Sequence, residues 1–143
     1  MMRSLFSNKP ATKQDPEPVN GAGVTILIVD DSPTETRLLQ SALVKAGYRV
    51  ESAVNGEQGV QVARQLHPDL ILMDVVMPVL NGFQATRMLG KDPATADIPV
   101  IMITTKDQQT DKTWGLRQGA VEYLVKPVRP ALLIGTIQTV LRG

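Results

Sequence analysis

Five short apolar runs alternate with longer amphipathic segments from Val24 to the end of the chain. Four of the runs are continuous or nearly continuous in apolar residues, which is typical of strands in a parallel sheet covered on both faces. The second run alternates polar and apolar residues, as an edge strand does. The runs are TILIV from Thr25, YRVESAV from Tyr48, LILM from Leu70, PVIMI from Pro99 and VEYLV from Val121. This alternation predicts an α/β fold, a doubly wound parallel sheet with right-handed crossovers.

The segments between the runs carry helical signals. Ser32 followed by Pro33 is a favourable helix start, because serine caps the first turn and proline needs no amide hydrogen there. Apolar residues then recur at helical spacing, and Gly47 ends this first helix. Four further helices are predicted over about 57–65, 82–89, 107–118 and 130–141. Trp114 and Leu116 are the only large apolar anchors of the fourth, and Gly115 lowers its helix propensity by about 1 kcal/mol. These features favour a loosely packed surface helix, with a low-stability element that can be repositioned as the functional alternative.

The length of the chain, 143 residues, fits one domain. Residues 1–23 are polar, rich in Pro, Gly and Asn, and without periodicity, so they are predicted to form a disordered tail. Apart from the methionines, the large apolar side chains of this tail are Leu5 and Phe6. Residues 24–143 are predicted to form the folded domain.

Composition narrows the classes of protein to consider. The chain has no cysteine, which excludes a disulfide scaffold, thiolate metal sites and a cysteine nucleophile. Its net charge is +1, without the clustered positive excess of a nucleic-acid-binding protein. It lacks the roughly 20-residue apolar stretch of a membrane span and the apolar core of a secretory signal. These features predict a cytoplasmic protein that binds neither nucleic acid nor membrane.

Polar and charged residues follow four of the predicted strands. Asp30-Asp31 ends the first strand, Asp74 the third, Thr104-Thr105 the fourth and Lys126 the fifth. Taken singly, an acidic pair is often a helix cap and a lysine before proline is usually a surface residue. Because ligands gather at the carboxyl ends of the strands in such folds, we expect these side chains to converge. Three carboxylates would repel one another, and Mg²⁺ is the expected cation to neutralise them.

Such a pocket suits phosphoryl transfer. A carboxylate such as Asp74 can attack phosphorus to form an aspartyl phosphate. Catalysis then consists mainly of positioning and of neutralising charge on the phosphoryl oxygens. Mg²⁺, the ammonium of Lys126 and the hydroxyl of Thr104 would each serve one of these oxygens.

Motifs at these strand ends resemble the receiver domains of two-component response regulators, the CheY-like family. They are ILIVDDS, LILMDVVMP-x-x-x-G, IMITT and EYLVKPV, and together they cover the chain from Val24 to Leu141 in order. The resemblance implies a flavodoxin-like, five-stranded parallel sheet of order 2-1-3-4-5 with five helices. The implied site comprises Asp30 and Asp31 as the acidic Mg²⁺ pair, Asp74 as phosphoacceptor, the Val76 backbone carbonyl as a metal ligand, Thr104 as switch hydroxyl, Tyr123 as switch aromatic, and Lys126 as phosphate-binding cation, with a cis peptide before Pro127.

The segment from Gly82 to Ala120 is similar, more specifically, to the stand-alone PilH-type receivers of the type IV pilus twitching-motility system. This likeness implies a single-domain response regulator rather than an enzyme. A CheA-like histidine kinase would phosphorylate Asp74, and the face of helix four, strand five and helix five would then bind a protein target. A phosphate sink and a receiver that binds partners without phosphorylation are the alternatives. His67, the only histidine, precedes Pro68 and is predicted to be an exposed loop residue, so the donor histidine belongs to another protein.

Two other classes of protein fit the residues less well. Aspartyl phosphohydrolases place a second acid two residues after the nucleophile, and that position is Val76 here. A flavodoxin-like cofactor binder needs a phosphate-binding loop after the first strand. Asp30 and Asp31 would instead repel a phosphate that no metal bridges.

Overall fold

A computed structural model of the protein describes residues 21–143. It contains five strands and five helices in strict alternation. In chain order they are β1 (Thr25–Val29), α1 (Pro33–Lys45), β2 (Arg49–Ala53), α2 (Gly56–Leu66), β3 (Leu70–Met73), α3 (Gly82–Lys91), β4 (Val100–Thr104), α4 (Gln109–Gln118), β5 (Glu122–Val125) and α5 (Pro130–Arg142). All five predicted helices are present, and α4 begins two residues later than expected.

The strands form one parallel sheet in the order β2-β1-β3-β4-β5, as predicted. The central strands β1, β3 and β4 are almost fully buried, which explains their continuous apolar sequences. The alternating second run forms an edge strand, also as predicted. The other edge is β5, and it is less covered than its apolar run indicated: Glu122 is exposed and the remaining residues are half-buried.

Two apolar cores lie on opposite faces of the sheet. On one face, α1 and α5 pack against alternate residues of the central strands, with Leu43 and Leu133 at the centre. On the other face, α2, α3 and α4 cover the remaining positions, with Val60 and Leu89 buried. We call these the α1/α5 face and the α2/α3/α4 face.

Helix starts follow the local signals of the sequence. The Ser32 hydroxyl accepts a hydrogen bond from the Glu35 amide, at 3.3 Å, as expected of the cap before Pro33. Asn81 and Gln84 form a reciprocal capping box that fixes the start of α3. His67 is exposed, in agreement with the sequence, and its Nε2 lies 3.1 Å from Asp97 Oδ1.

The predicted tail falls largely outside the described residues, which begin at Gly21. Residues 21–23 form a turn in which the Val24 amide donates to the Gly21 carbonyl. Gly21 is buried against the backbone of Gly47 and Tyr48, where a Cβ atom would lie 2.5–2.6 Å from their atoms. The folded part therefore begins a few residues before Val24. Within residues 21–143, no helix is both long and apolar enough to cross a membrane.

Candidate phosphorylation centre

Strand register brings the polar residues together. Val29 lies beside Met73, Met73 beside Met102, and Thr104 beside Val125. The residues that follow these strands therefore emerge at one edge of the sheet, as the sequence predicted. Asp30, Asp74 and Lys126 meet there, and Thr104, the last residue of β4, is fully buried beside them.

Lys126 is the central cation of this cluster. Its Nζ lies 2.9 Å from Asp30 Oδ2, 3.6 Å from Glu35 Oε1 and 3.7 Å from Asp74 Oδ2. Only 11% of its side chain is exposed, so these charges interact with little screening by solvent. The peptide bond between Lys126 and Pro127 is cis, as the family resemblance implied.

Asp30 and Asp31 differ in environment. Asp30 is 3% exposed, and its Oδ1 accepts a hydrogen bond from the Ser32 amide at 2.9 Å. Asp31 is exposed at the rim of the cluster. One carboxylate oxygen from each of Asp30, Asp31 and Asp74 lies within 4.8 Å of the other two. Three hard oxygen donors at this spacing fit a divalent cation such as Mg²⁺.

Burial raises the pKa of Asp74 above its usual range. The nearby Asp30 charge raises this pKa further, whereas Lys126, the Val75 amide and the Thr104 hydroxyl lower it. The Val75 amide donates to Asp74 Oδ1 at 2.8 Å. Burial therefore outweighs the single cation, and the ionised carboxylate lacks part of the positive charge it needs.

Lys126 shows the complementary shift. Burial disfavours its charged form, but the hydrogen bond to Asp30 and the charges of Asp74, Asp30 and Glu35 prevail and raise its pKa. Lys126 therefore stays charged at neutral pH. Sequence reasoning did not single out Glu35, because acids are common in the first turn of a helix and its position alone gives no signal of the site.

Thr104 and Tyr123 are connected through Lys106. The Lys106 amide donates to Thr104 Oγ1 at 3.3 Å, and the Tyr123 hydroxyl donates to the Lys106 carbonyl at 2.8 Å. Burial and the charges of Asp111, Asp107 and Asp74 raise the pKa of Tyr123 to about 12. The two predicted switch residues thus contact one short loop between β4 and α4.

The loop after Asp74 depends on Gly82 and contains a strained residue. A Cβ atom at Gly82 would collide with the backbone carbonyl of Asp74, so this glycine allows α3 to begin directly against the phosphoacceptor strand. The φ of Gly82 is not in the left-handed region, so this close approach is what requires a glycine here. Val79 does adopt a left-handed φ of 70° and is 88% exposed, which is unusual for a β-branched residue.

A comparison with protein families matches residues 26–138 to the response regulator receiver domain. Among curated proteins, the chain is 61% identical over 118 residues to the protein PilH of Pseudomonas aeruginosa, covering 82% of this chain and 98% of PilH. It is 42% identical to the transcriptional regulator RpaA of Synechocystis but spans only 48% of that longer protein.

Solved structures give the same result. The chemotaxis protein CheY4 of Vibrio cholerae is 34% identical, with a TM-score of 0.78 over 83% of this chain and 99% of CheY4. The receiver domain of a Pseudomonas aeruginosa sensor histidine kinase is 34% identical, with a TM-score of 0.80 over 85% of this chain and 100% of that domain. The latter structure has a magnesium ion coordinated in its active site cleft.

Proposed function

The chain belongs to the response regulator receiver family, and from that premise we propose that it is a phosphorylation switch with Asp74 as its phosphoacceptor. A partner histidine kinase would supply the phosphoryl group. The observation that carries the proposal is the buried cluster in which one cation, Lys126, serves Asp30, Glu35 and Asp74. With three carboxylates and one ammonium, the cluster stays negatively charged until a further cation joins it.

The residues that would hold Mg²⁺ are Asp30, Asp31 and Asp74, together with the backbone carbonyl of Val76. The three carboxylates support this assignment through their 4.8 Å spacing, and the Val76 ligand rests on the family resemblance. When bound, the ion would neutralise charge on the transferring phosphoryl oxygens. Asp30 is tied to Ser32 and Lys126, so its carboxylate is held in place before any ion arrives.

In the transfer step, an oxygen of the Asp74 carboxylate attacks phosphorus and the bond from phosphorus to the donor histidine nitrogen breaks. The electron pair leaves with that nitrogen. The carboxylate must be ionised to attack, and Lys126 favours the ionised form. Lys126 and Thr104 would then bind phosphoryl oxygens, with Lys126 partly released from Asp30.

Phosphorylation adds roughly 1.5–2 negative charges, by analogy with other phosphorylated residues. If Thr104 turns toward the phosphoryl group, the Lys106 amide loses its hydrogen-bond acceptor. The Lys106 carbonyl holds the Tyr123 hydroxyl, so the same loop would reposition Tyr123. The face of α4, β5 and α5 would change as a result, which shifts affinity for a protein partner.

The pathway we propose is control of type IV pilus or chemotaxis-like motility, downstream of a CheA-like kinase. Its support is the 61% identity to PilH over nearly the whole of that protein. We assign the protein to the cytoplasm and to binding rather than enzymatic output, with a receiver domain that begins at about Gly21, three residues before the Val24 expected from the sequence, and with the preceding residues as a tail. Neither nucleic acid nor membrane is a proposed partner. A role as phosphate sink would use the same chemistry without a downstream target.

The direct test is incubation with acetyl phosphate and Mg²⁺, followed by intact mass measurement. We expect one phosphate per chain, none for Asp74→Ala, and normal labelling for Asp97→Ala, an exposed acid outside the centre. Unlabelled wild-type protein, or labelling that survives Asp74→Ala, would refute the assignment.

The switch can be followed through Trp114, the only tryptophan, which lies on α4 and is 48% exposed. Beryllofluoride with Mg²⁺ should change its emission in the wild type, and Thr104→Ala should abolish most of the change. An equal change in the Thr104→Ala variant would show that this hydroxyl plays no part in the response.

A further inference from the structure

A groove opens between α1 and the β5–α5 connection on the α1/α5 face. Its volume is about 590 Å³, within the range of roughly 300–1,000 Å³ typical of binding clefts. Its mouth reaches the phosphorylation centre, and the rest of its wall is mainly aliphatic. The aliphatic lining comprises Leu38, Leu39, Ala42, Ile103, Val128 and Leu133.

The groove has an unfilled apolar wall. Leu38 is 64% exposed, although Leu133 on the opposite wall is 1% exposed and belongs to the core. Exposed leucine beside a concave aliphatic surface favours burial against another apolar segment. The phosphorylation chemistry does not use this surface.

The mouth of the groove is acidic. Asp30, Glu35 and Asp74 line it, and Lys126 is the one cation among the lining residues. A ligand that places positive charge beside an apolar group would therefore match both parts of the groove. A purely anionic ligand would be repelled at the mouth.

The chain carries such a segment at its own amino terminus. The sequence MMRSLFSNK places Leu5 and Phe6 between two cations, Arg3 and Lys9. We infer that the groove binds this segment of the same chain, with Leu5 and Phe6 against the aliphatic wall and the flanking cations toward the acidic mouth. Residues 1–20 lie outside the described part of the structure.

Chain length permits this contact. Gly21 is fixed against Gly47 and Tyr48, just beyond the end of α1, and α1 forms one wall of the groove. With a rise of 1.5 Å per residue, Leu39 lies about 12 Å from Gly47 along the axis of α1. Fourteen residues lie between Phe6 and Gly21, and a random-coil chain of that length would span roughly 20 Å. Such a tether gives an effective concentration in the millimolar range, so weak contacts suffice.

The amino-terminal segment lies outside the match to the receiver family. That match begins at residue 26, and the similarity to PilH extends over 98% of PilH but 82% of this chain. The inference therefore goes beyond the phosphorylation switch.

Disulfide cross-linking in the full chain tests the proposal, because the protein has no cysteine of its own. One variant combines Ser7→Cys with Ser41→Cys, an exposed position on α1 next to the groove. The matched control combines Ser7→Cys with Gln61→Cys, an exposed position on α2 on the opposite face. The rate of disulfide formation in each variant is divided by the rate at which its second cysteine, at position 41 or 61, reacts with a small disulfide reagent. This division corrects for differences in the reactivity of the two cysteines. We expect the groove pair to close within one chain at least 10-fold faster than the control pair.

Further substitutions identify the cause of that difference. Phe6→Asp in the groove pair should remove the advantage, whereas Asn20→Asp, which changes the charge equally, should keep it. Equal normalised rates, bonds formed only between chains, or no effect of Phe6→Asp would each overturn the proposal. These measurements involve no phosphoryl transfer, so their outcome is separate from that of the phosphorylation test.

Discussion

The two faces of the sheet are packed by different means. On the α2/α3/α4 face, helices approach through glycines: a Cβ atom at Gly59 would lie 2.8 Å from Val29 Cγ2, and one at Gly115 would lie 2.8 Å from Met102 Sδ. On the α1/α5 face, a groove of about 590 Å³ remains open between α1 and the β5–α5 connection. The first face therefore has little room for added atoms at these two glycines, whereas the second has space for a ligand.

Truncating leucines on the α1/α5 face should separate its filled part from its open part. Leu133→Ala removes a side chain that is 1% exposed and should lower the free energy of unfolding by about 3 kcal/mol. Leu38→Ala, at 64% exposure, should cost less than about 0.5 kcal/mol. Urea unfolding followed by circular dichroism gives both values. Similar losses for the two variants would mean that Leu38 is packed as tightly as Leu133, which the weak contacts proposed for the amino-terminal segment do not predict.

Adding one methyl group to the other face should also be costly. Gly59→Ala would press against both methyl groups of Val29, a short branched residue buried in β1. We expect a loss of about 2 kcal/mol, measured by the same unfolding experiment. A gain in stability would contradict the close packing of α2 on β1.

A pair of glycine substitutions compares a buried glycine of the α2/α3/α4 face with a solvent-exposed glycine of α5. Gly115→Ala gains helix propensity but collides with Met102 and the Tyr123 ring, and a net loss of about 1 kcal/mol is expected. Gly135→Ala meets no neighbour and should stabilise by up to about 1 kcal/mol. Thermal melting measures both. The comparison fails if the two variants shift the melting temperature in the same direction.

Each face contains one of the two tyrosines, and their titration sharpens the comparison. Burial raises the pKa of Tyr48, and burial with nearby acids raises that of Tyr123 to about 12. The unfolded chain loses these protons near pH 10 while the folded protein keeps them, so stability falls as pH rises from about 10 to 12. Tyr123→Phe should remove the contribution of this tyrosine to the loss of stability between pH 10 and 12. We expect that contribution to be about 1 kcal/mol or less, because Tyr123 is partly exposed. Absorbance titration of the single Phe variants assigns each pKa, and a Tyr123 value near 10 would contradict this prediction.

Local sequence was sufficient to predict a parallel sheet and the charged cluster at its edge, whereas the strand order came from the family resemblance. A continuous apolar run predicts each buried strand. Because the carboxyl ends of parallel strands lie at the same edge of the sheet, Asp30, Asp74 and Lys126 are expected to meet there. The contact of Glu35 with Lys126 was not predictable in the same way. It depends on how α1 is rotated about its axis, which the first turn of the helix does not specify.

Gly115 makes contacts that the sequence did not predict. α4 is a surface helix, as expected, with Trp114 48% and Leu116 50% exposed, but Gly115 was interpreted through helix propensity, which is a property of the chain alone. In the structure Gly115 is buried against Met102 of β4 and Tyr123 of β5. This glycine therefore allows α4 to lie close to two strands, a contact that helix propensity does not reveal. The groove was equally invisible in the sequence, because the space between two helices depends on both.

Both ends of the folded domain lie far from the phosphorylation centre. Gly21 precedes β1 and rests against the turn that follows α1, while α5 runs back across the sheet for 13 residues, roughly 20 Å. A domain, reporter or linker fused to either end of the folded domain would thus be attached at the amino-terminal edge of the sheet. A fusion at that edge leaves the carboxyl edge of the sheet accessible to the phosphoryl donor. The same domain can therefore be joined to other domains in longer proteins without covering the phosphorylation centre.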